Sequence, residues 1–171
     1  MNKALFKIAV AVLAAFYCFY YISSPETWHF IDNVNLIIHE AGHWIFWPFG
    51  DFLHILGGSL NQILVPCLFV AYFYFQKDYY SSALTLFWVG INFINVSIYA
   101  GDAAVMQLPL LGGDNVIHDW NWLLAYTGQL HHTAQIAGTI KTVGILLIIT
   151  ATVWAIYSAL TDDKKVYGHQ L

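Results

Sequence analysis

Two histidines separated by three residues are the feature of this sequence that points most directly to chemistry. His39 and His43 lie within residues 35–46, and side chains four apart on a helix project from the same face. Their imidazoles could therefore bind one zinc ion, while Glu40 beside them could take a proton from a water molecule on the metal. Both flanks are apolar, where ionisable residues are costly enough to indicate a function. A helix whose histidines only satisfy hydrogen bonds is the alternative.

The composition is that of a membrane protein. Apolar residues make up 59% of the 171 residues and aromatic residues 18%, whereas only 9% are charged. The sequence contains no arginine and its net charge is -4, so it has no basic surface for nucleic acid. Cys18 and Cys67 lie in separate apolar segments and are interpreted as small buried hydrophobic residues. We therefore expect membrane lipid as a partner and no nucleic acid.

Apolar segments predict the fold class: an all-α membrane protein with four transmembrane helices plus a re-entrant or half-spanning helix that carries His-Glu-Ala-Gly-His. No repeat or soluble domain is evident, so residues 1–171 are expected to form a single integral membrane domain. The predicted spans cover about residues 4–22, 60–75, 81–100 and 136–160, and the motif helix covers about residues 34–49. Between them, the glycine-rich residues 50–58 interrupt the pattern and are expected to pack against protein or line a cavity.

The lysines favour four crossings over five. Four crossings put five of the lysines on one side of the membrane, namely Lys3, Lys7, Lys77, Lys164 and Lys165. Because positive residues accumulate on the cytoplasmic side, both termini are predicted to be cytoplasmic, in a plasma (inner) membrane. Asp32, Asp114 and His118 are then expected on the opposite side.

A zinc site needs at least a third protein ligand, and three residues are the plausible donors: Asp102, His118 and Asp119. Four crossings bring the start of the motif helix and Asp102 to the same side. His118 is placed slightly ahead of Asp102, because imidazole suits zinc and Asp119 has an alternative role as the N-cap of a helix over residues 120–130. Asp119 is then expected to support the ligands.

Polar residues line one face of the predicted span over residues 81–100. Asn92, Asn95, Tyr99 and Asp102 are spaced at three, four and three residues, which aligns them on a helix. Polar side chains inside a membrane should face other helices and not lipid. For the asparagines and Tyr99 two interpretations are open, hydrogen bonding between helices alone or a role in positioning a substrate.

Residues 35–103 resemble the site-2 protease-like family of intramembrane zinc metalloproteases. The resemblance is carried by His39-Glu40-Ala41-Gly42-His43 in an apolar helix, followed by a glycine-broken segment and two further spans. In that family a later span carries an Asn-containing stretch that leads to Leu-Asp-Gly, whose aspartate is the third zinc ligand. The nearest stretch here is residues 95–103, and the resemblance therefore implies Asp102 as the third ligand of a divergent, minimal member.

The resemblance implies a zinc metalloendopeptidase that cleaves a peptide bond within or beside the bilayer. His39, His43 and a third ligand would hold zinc, Glu40 would act as the general base, and Asn92 or Asn95 could steady the substrate or the oxyanion. The alternative is a zinc-binding or pseudo-enzyme accessory subunit of a larger membrane complex, which the small size and lack of a soluble domain would suit. Chemistry on lipid and purely structural uses are further alternatives.

Overall fold

The protein is helical throughout the part of the chain that a computed structural model describes. That part comprises residues 3–25, 27–109 and 116–168, with side chains described up to residue 161. Of these residues 87% are in helices and none is in a strand, which confirms the all-α prediction. The helices are α1 (Lys3–Ser23), α2 (Phe30–Phe46), α3 (Asp51–Phe75), α4 (Tyr79–Gly101), α5 (Asp119–Tyr126) and α6 (Thr133–Gly168).

Four helical segments are long and apolar enough to cross a membrane. They are Lys3–Ser23, Asp51–Phe75, Tyr79–Ala104 and Leu130–Thr161. Each contains one of the four predicted spans, which is consistent with a multi-pass membrane protein. The motif helix α2 has 17 residues and is not one of the four. The side of the membrane on which each residue lies stays a prediction, and Asp114 lies outside the described residues.

The glycine-rich stretch that was expected to interrupt the chain is instead the first part of α3, which begins at Asp51. Gly57 lies against α2, since a Cβ atom added to it would be 2.7 Å from Phe46 Cβ and 2.8 Å from the carbonyl oxygen of Gly42. One turn later, the amide of Asn61 donates a hydrogen bond of 2.7 Å to the carbonyl oxygen of Ile38. The stretch therefore packs against protein, as expected, but it is helical. Its glycines allow α2 to come close to α3.

The chain forms two compact units. The first consists of Met1–Thr27, Pro66–Ile91 and Gly144–Leu171, and the second of Trp28–Val65 and Asn92–Val143. All the site residues proposed from the sequence belong to the second unit.

Small residues allow close helix packing in the first unit. A Cβ atom added to Gly90 on α4 would lie 2.5 Å from Ile148 Cγ1 on α6, and Ala83, Ala151 and Ala155 are fully buried. The Tyr80 hydroxyl donates to the carbonyl oxygen of Lys7, at 2.6 Å. Small residues combined with hydrogen bonds between helices are typical of helix packing inside membranes.

Candidate metal centre

Two imidazoles and one carboxylate converge in the second unit. His39 Nε2 lies 2.9 Å from Asp119 Oδ2, and His43 Nε2 lies 3.3 Å from the same oxygen. One ligand atom from each residue lies within 4.8 Å of the other two, a spacing that could hold a metal ion. Across residues 3–25, 27–109 and 116–161, no other group of three His, Cys, Asp or Glu side chains converges in this way.

The histidines and the aspartate are positioned by different helices. α2 presents His39 and His43 on one face, as their spacing predicts, with ring centroids 4.9 Å apart. Asp119 is the first residue of α5, and its backbone N–H donates to the Tyr99 hydroxyl on α4, at 3.0 Å. The next residue, Trp120, donates from its indole to Ser59 Oγ on α3, at 3.0 Å. These two bonds hold the start of α5 so that the Asp119 carboxylate faces the histidines.

The other ring nitrogen of each histidine is held by a carbonyl oxygen. His39 Nδ1 lies 3.2 Å from Gln62 Oε1, and His43 Nδ1 lies 2.8 Å from the backbone oxygen of His54. A carbonyl oxygen only accepts hydrogen bonds, so each Nδ1 carries a proton and donates it. Each Nε2 is thereby directed to Asp119. A proton on Nε2 makes the hydrogen bond to that carboxylate, and a cation that binds there would take the place of the proton. Histidines that ligate metals are held in the same manner, by donation from the second nitrogen.

Gly58 leaves the space in front of both Nε2 atoms. A Cβ atom at this position would lie 2.5 Å from His39 Nε2 and 2.7 Å from His43 Nε2. Zinc binds imidazole nitrogen at about 2.0 to 2.1 Å, so ligand atoms around a tetrahedral zinc are separated by about 3.3 Å. The 2.9 and 3.3 Å separations from Asp119 are close to that value. The three residues and the space beside Gly58 therefore fit a small metal ion.

The charges of Asp119 and His43 support one another. Burial disfavours the ionised carboxylate of Asp119, but the hydrogen bonds from His39 and His43 outweigh it and lower the pKa of Asp119 below its ordinary value. The hydrogen bond to Asp119 raises the pKa of His43 above the ordinary value for histidine, against the opposing effect of burial. The site thus stabilises a negative oxygen that faces a positive charge, as a cation ligand requires.

Glu40 lies beside the group without belonging to it. Its side chain is exposed, whereas its neighbour His39 is buried. The negative charge of Glu40 contributes to the raised pKa of His43, but less than the hydrogen bond from Asp119, the charge of Asp119 or the His54 carbonyl. This arrangement suits a proton acceptor next to a metal better than a ligand.

His118 and Asp102, the two residues expected to supply the third ligand, contact each other and lie outside the converging group. His118 Nε2 donates to Asp102 Oδ2 at 3.1 Å, and its Nδ1 accepts the backbone N–H of Asn121 at 3.2 Å. His118 is therefore the N-cap of α5, the role that the sequence analysis assigned to Asp119. Capping by His118 leaves the Asp119 carboxylate free to face α2. The Asp102 carboxylate also accepts two backbone N–H groups, those of Gln107 and Leu108.

The polar face of α4 is directed at other helices, as predicted. Asn92 is fully buried, and Asn95 accepts from Gln62 and donates to Asp32, at 2.8 and 3.2 Å. Tyr99 packs its ring on His118, with centroids 4.4 Å apart. Hydrogen bonding between helices therefore accounts for Asn95, and a role of these residues in positioning substrate stays a prediction.

Two supporting residues were not singled out in the sequence. Gln62 holds His39, and Gly58 provides the space in front of both imidazoles. A signal for Gln62 existed, because Asn61 and Gln62 form a polar pair inside an apolar span, where polar residues are costly. The adjacent glycines Gly57 and Gly58 indicated close packing, but the sequence did not indicate that the two imidazoles pack against Gly58.

Comparison of the chain with known protein families, with curated proteins and with solved structures finds no match. The converging ligand atoms, their supporting hydrogen bonds and Glu40 are the features from which a function is inferred below.

Replacing Gly58 with alanine should weaken metal binding without removing a ligand. The added Cβ would collide with the far ends of the two imidazoles, which can turn away, so the fold should survive while the Nε2 atoms lose their common direction. We expect zinc affinity to fall by more than about 10-fold, as when supporting contacts of a metal site are lost. Zinc competition with a chromophoric chelator would measure it. Gly138→Ala is the control, since a Cβ there meets nothing within 4 Å; equal affinity in both variants would contradict the expectation.

Alanine substitutions at Asp119, His118 and Asp102 should separate the ligand from its neighbours. Asp119→Ala should abolish stoichiometric zinc, because it removes the carboxylate that faces both Nε2 atoms. His118→Ala should lower thermal stability, since the loss of an N-cap costs about 0.5 to 2 kcal/mol, and should weaken zinc binding far less. Metal content and unfolding temperature would be measured on the same samples. Zinc retained by Asp119→Ala but lost by His118→Ala would return the third ligand to His118.

Proposed function

We propose that this chain is a membrane-embedded zinc metallopeptidase that cleaves a peptide bond within or beside the bilayer. The observation that supports it is the convergence of two imidazole nitrogens and the Asp119 carboxylate, with Glu40 beside them on the same helix as the histidines. Three protein ligands of nitrogen and oxygen type are typical of catalytic zinc sites, which keep one position open. Structural zinc sites have four protein ligands. The ligand set therefore favours catalysis over a purely structural metal.

Metal binding and proton transfer are assigned to different residues. His39, His43 and Asp119 would hold the zinc ion. A bound zinc ion supplies Lewis-acid chemistry, which lowers the pKa of water and polarises a carbonyl group. Glu40 takes the proton of the attacking water on its carboxylate. It then passes that proton to the amine nitrogen that leaves as the peptide C–N bond breaks.

We further propose that the chain is a divergent, minimal member of the site-2 protease-like family. In support, the His-Glu-Ala-Gly-His motif is followed by two helices, α3 and α4, that are long and apolar enough to cross a membrane. The departure lies in the third ligand. Asp102, the residue that the resemblance implies, is engaged by His118 and two backbone N–H groups, whereas Asp119 faces the histidines.

We also propose that α2 enters the membrane without crossing it, so that the four candidate spans put both termini on one side, which the lysines predict to be cytoplasmic. α2 has fewer residues than the four candidate spans, and its exposed side chains are largely apolar, including Phe30, Ile37 and Trp44. A lipid-facing helix of this length would carry the metal ligands on its protein-facing side.

Cysteine labelling would test this topology. On a Cys18→Ser, Cys67→Ser background, cysteines placed at Lys3, Lys77 and Lys165 should react with a membrane-impermeant thiol reagent only from the cytoplasmic side. A cysteine at exposed Asn33, next to Asp32, should react only from the other side. Labelling of positions 3 and 165 from opposite sides would support five crossings and contradict the proposal.

Glu40→Gln should separate catalysis from metal binding. The amide cannot accept the proton, so we expect cleavage to fall by about 10²- to 10⁴-fold, the usual contribution of a general base, while zinc stays stoichiometric. Cleavage of fluorescein-labelled casein and metal content would be measured in detergent and in liposomes. The matched control is Glu26→Gln, which changes the other glutamate of the sequence and should leave both measurements as in the wild type.

Two results would contradict the proposal in different ways. If Glu40→Gln cleaves as fast as the wild type, Glu40 is not the base. If the wild type binds zinc but cleaves neither casein nor single-span membrane proteins reconstituted with it, the accessory-subunit alternative gains support. Loss of zinc in His39→Ala and His43→Ala is expected under both functions and serves to verify the site.

A further inference from the structure

The imidazole of His39 ends a series of hydrogen bonds that joins three helices. Beyond the contact between His39 Nδ1 and Gln62 Oε1, Gln62 Nε2 donates to Asn95 Oδ1 at 2.8 Å. Asn95 Nδ2 in turn donates to Asp32 Oδ1 at 3.2 Å. Asp32, Asn95 and Gln62 are called the Asp32 relay below. They come from α2, α4 and α3, and all belong to the second compact unit.

The relay has a direction that Asp32 sets. A carboxylate can only accept hydrogen bonds, and the other oxygen of Asp32 already accepts the backbone N–H of His29, at 2.8 Å. Asn95 must therefore turn its NH₂ group to Asp32 and its carbonyl oxygen to Gln62. For the same reason Gln62 turns its NH₂ group to Asn95 and its carbonyl oxygen to His39. At the end of the relay, His39 Nδ1 can only donate.

We infer that the Asp32 relay is a positioning device that keeps His39 in the tautomer with the proton on Nδ1. The inference rests on the proposed zinc site, because that tautomer leaves Nε2 as the ligand atom. A glutamine side chain alone could rotate its amide and present NH₂ to Nδ1. The proton would then move to Nε2, the atom that faces Asp119, and His39 could not ligate a metal.

Burial makes the relay effective. Asp32 and Gln62 are 4% and 3% exposed, and Asn95 between them is half-buried, so water cannot readily replace a missing partner at either end of the relay. In such surroundings a polar network is strong when every member is satisfied and costly when one is not. If the Gln62 amide rotated, its carbonyl oxygen would face the carbonyl oxygen of Asn95, and neither could donate. If Asn95 rotated as well, its carbonyl oxygen would face the Asp32 carboxylate. Each link therefore resists the wrong orientation of the next.

The second histidine shows why only one relay is needed. His43 Nδ1 donates to the backbone carbonyl of His54, at 2.8 Å. A peptide carbonyl inside a helix cannot rotate, so its direction is set by α3 itself. His39 depends on a side-chain amide that can rotate about its last bond, and the relay supplies the missing restraint.

The test removes Asn95, which is linked to His39 through Gln62. Zinc affinity would be measured by chelator competition for Asn95→Ala, Gln62→Met and the double variant. We expect Gln62→Met to lower affinity by about 10- to 100-fold and Asn95→Ala by a smaller but measurable factor. If Asn95 acts on His39 through Gln62, as the relay requires, the double variant should match Gln62→Met alone. The matched control is Ser82→Ala, which also removes a hydrogen bond between α3 and α4, that from Ser82 to the carbonyl oxygen of Val70, but belongs to the first unit and not to the relay; it should keep wild-type affinity.

A spectroscopic measurement identifies the tautomer independently of zinc and of cleavage. In metal-free protein labelled with ¹⁵N-histidine, the variant Asp119→Ala removes the acceptor that faces Nε2. In that background, at a pH where the ring is neutral, His39 should show one tautomer with Nδ1–H, also when Ser82→Ala is added. When Asn95→Ala is added instead, His39 should show a mixture. Wild-type affinity and tautomer in Asn95→Ala, or a double variant whose losses add, would overturn the inference. A wild type without zinc would defeat the proposed function instead, and the tautomer signal would still test the relay.

Discussion

The close approach of α2 and α3 is the contact on which the candidate metal centre depends. Gly57 meets Gly42 and Phe46 with no room for a side chain, and Gly58 lies directly before both imidazoles. The same approach brings the His54 carbonyl and the Gln62 amide within hydrogen-bond distance of the two Nδ1 atoms. In a membrane, where lipid competes with side chains for apolar contact, small residues are the usual means of bringing two helices together. Larger residues here would separate the histidines from the groups that orient them.

Three carboxylates are buried among the described residues of the second unit, and each has a different set of partners. Asp119 faces the two histidines, Asp102 accepts from His118 and two backbone N–H groups, and Asp32 accepts from Asn95 and the start of α2. Isolated buried charges are too costly to persist, so each aspartate must be compensated by specific donors. Those donors also determine what each aspartate can do. Asp119 faces groups that can exchange a proton for a metal, whereas Asp102 and Asp32 are engaged by fixed donors and are suited to support.

The contrast between buried ligands and an exposed Glu40 has a chemical meaning. His39 and Asp119 are buried, which strengthens their interaction with a cation, while the neighbouring carboxylate of Glu40 is exposed. A site that only stores a metal has no need of an exposed carboxylate beside its ligands. The Asp32 relay adds to this arrangement from the other nitrogen of His39, Nδ1.

Local properties of the sequence determined the helical class, the four apolar segments and the common face of His39 and His43, because each follows from composition or from a spacing of a few residues. The third member of the metal-ligand group was decided only by the tertiary structure. His39 and Asp119 are 80 residues apart, and His39 and Gln62 are 23 apart, so helix packing alone brings them together. The exchange of roles between His118 and Asp119 has the same origin. Both residues can cap a helix and both can bind zinc. Which of them caps α5 and which faces the histidines depends on how the first turn of α5 is oriented relative to α2.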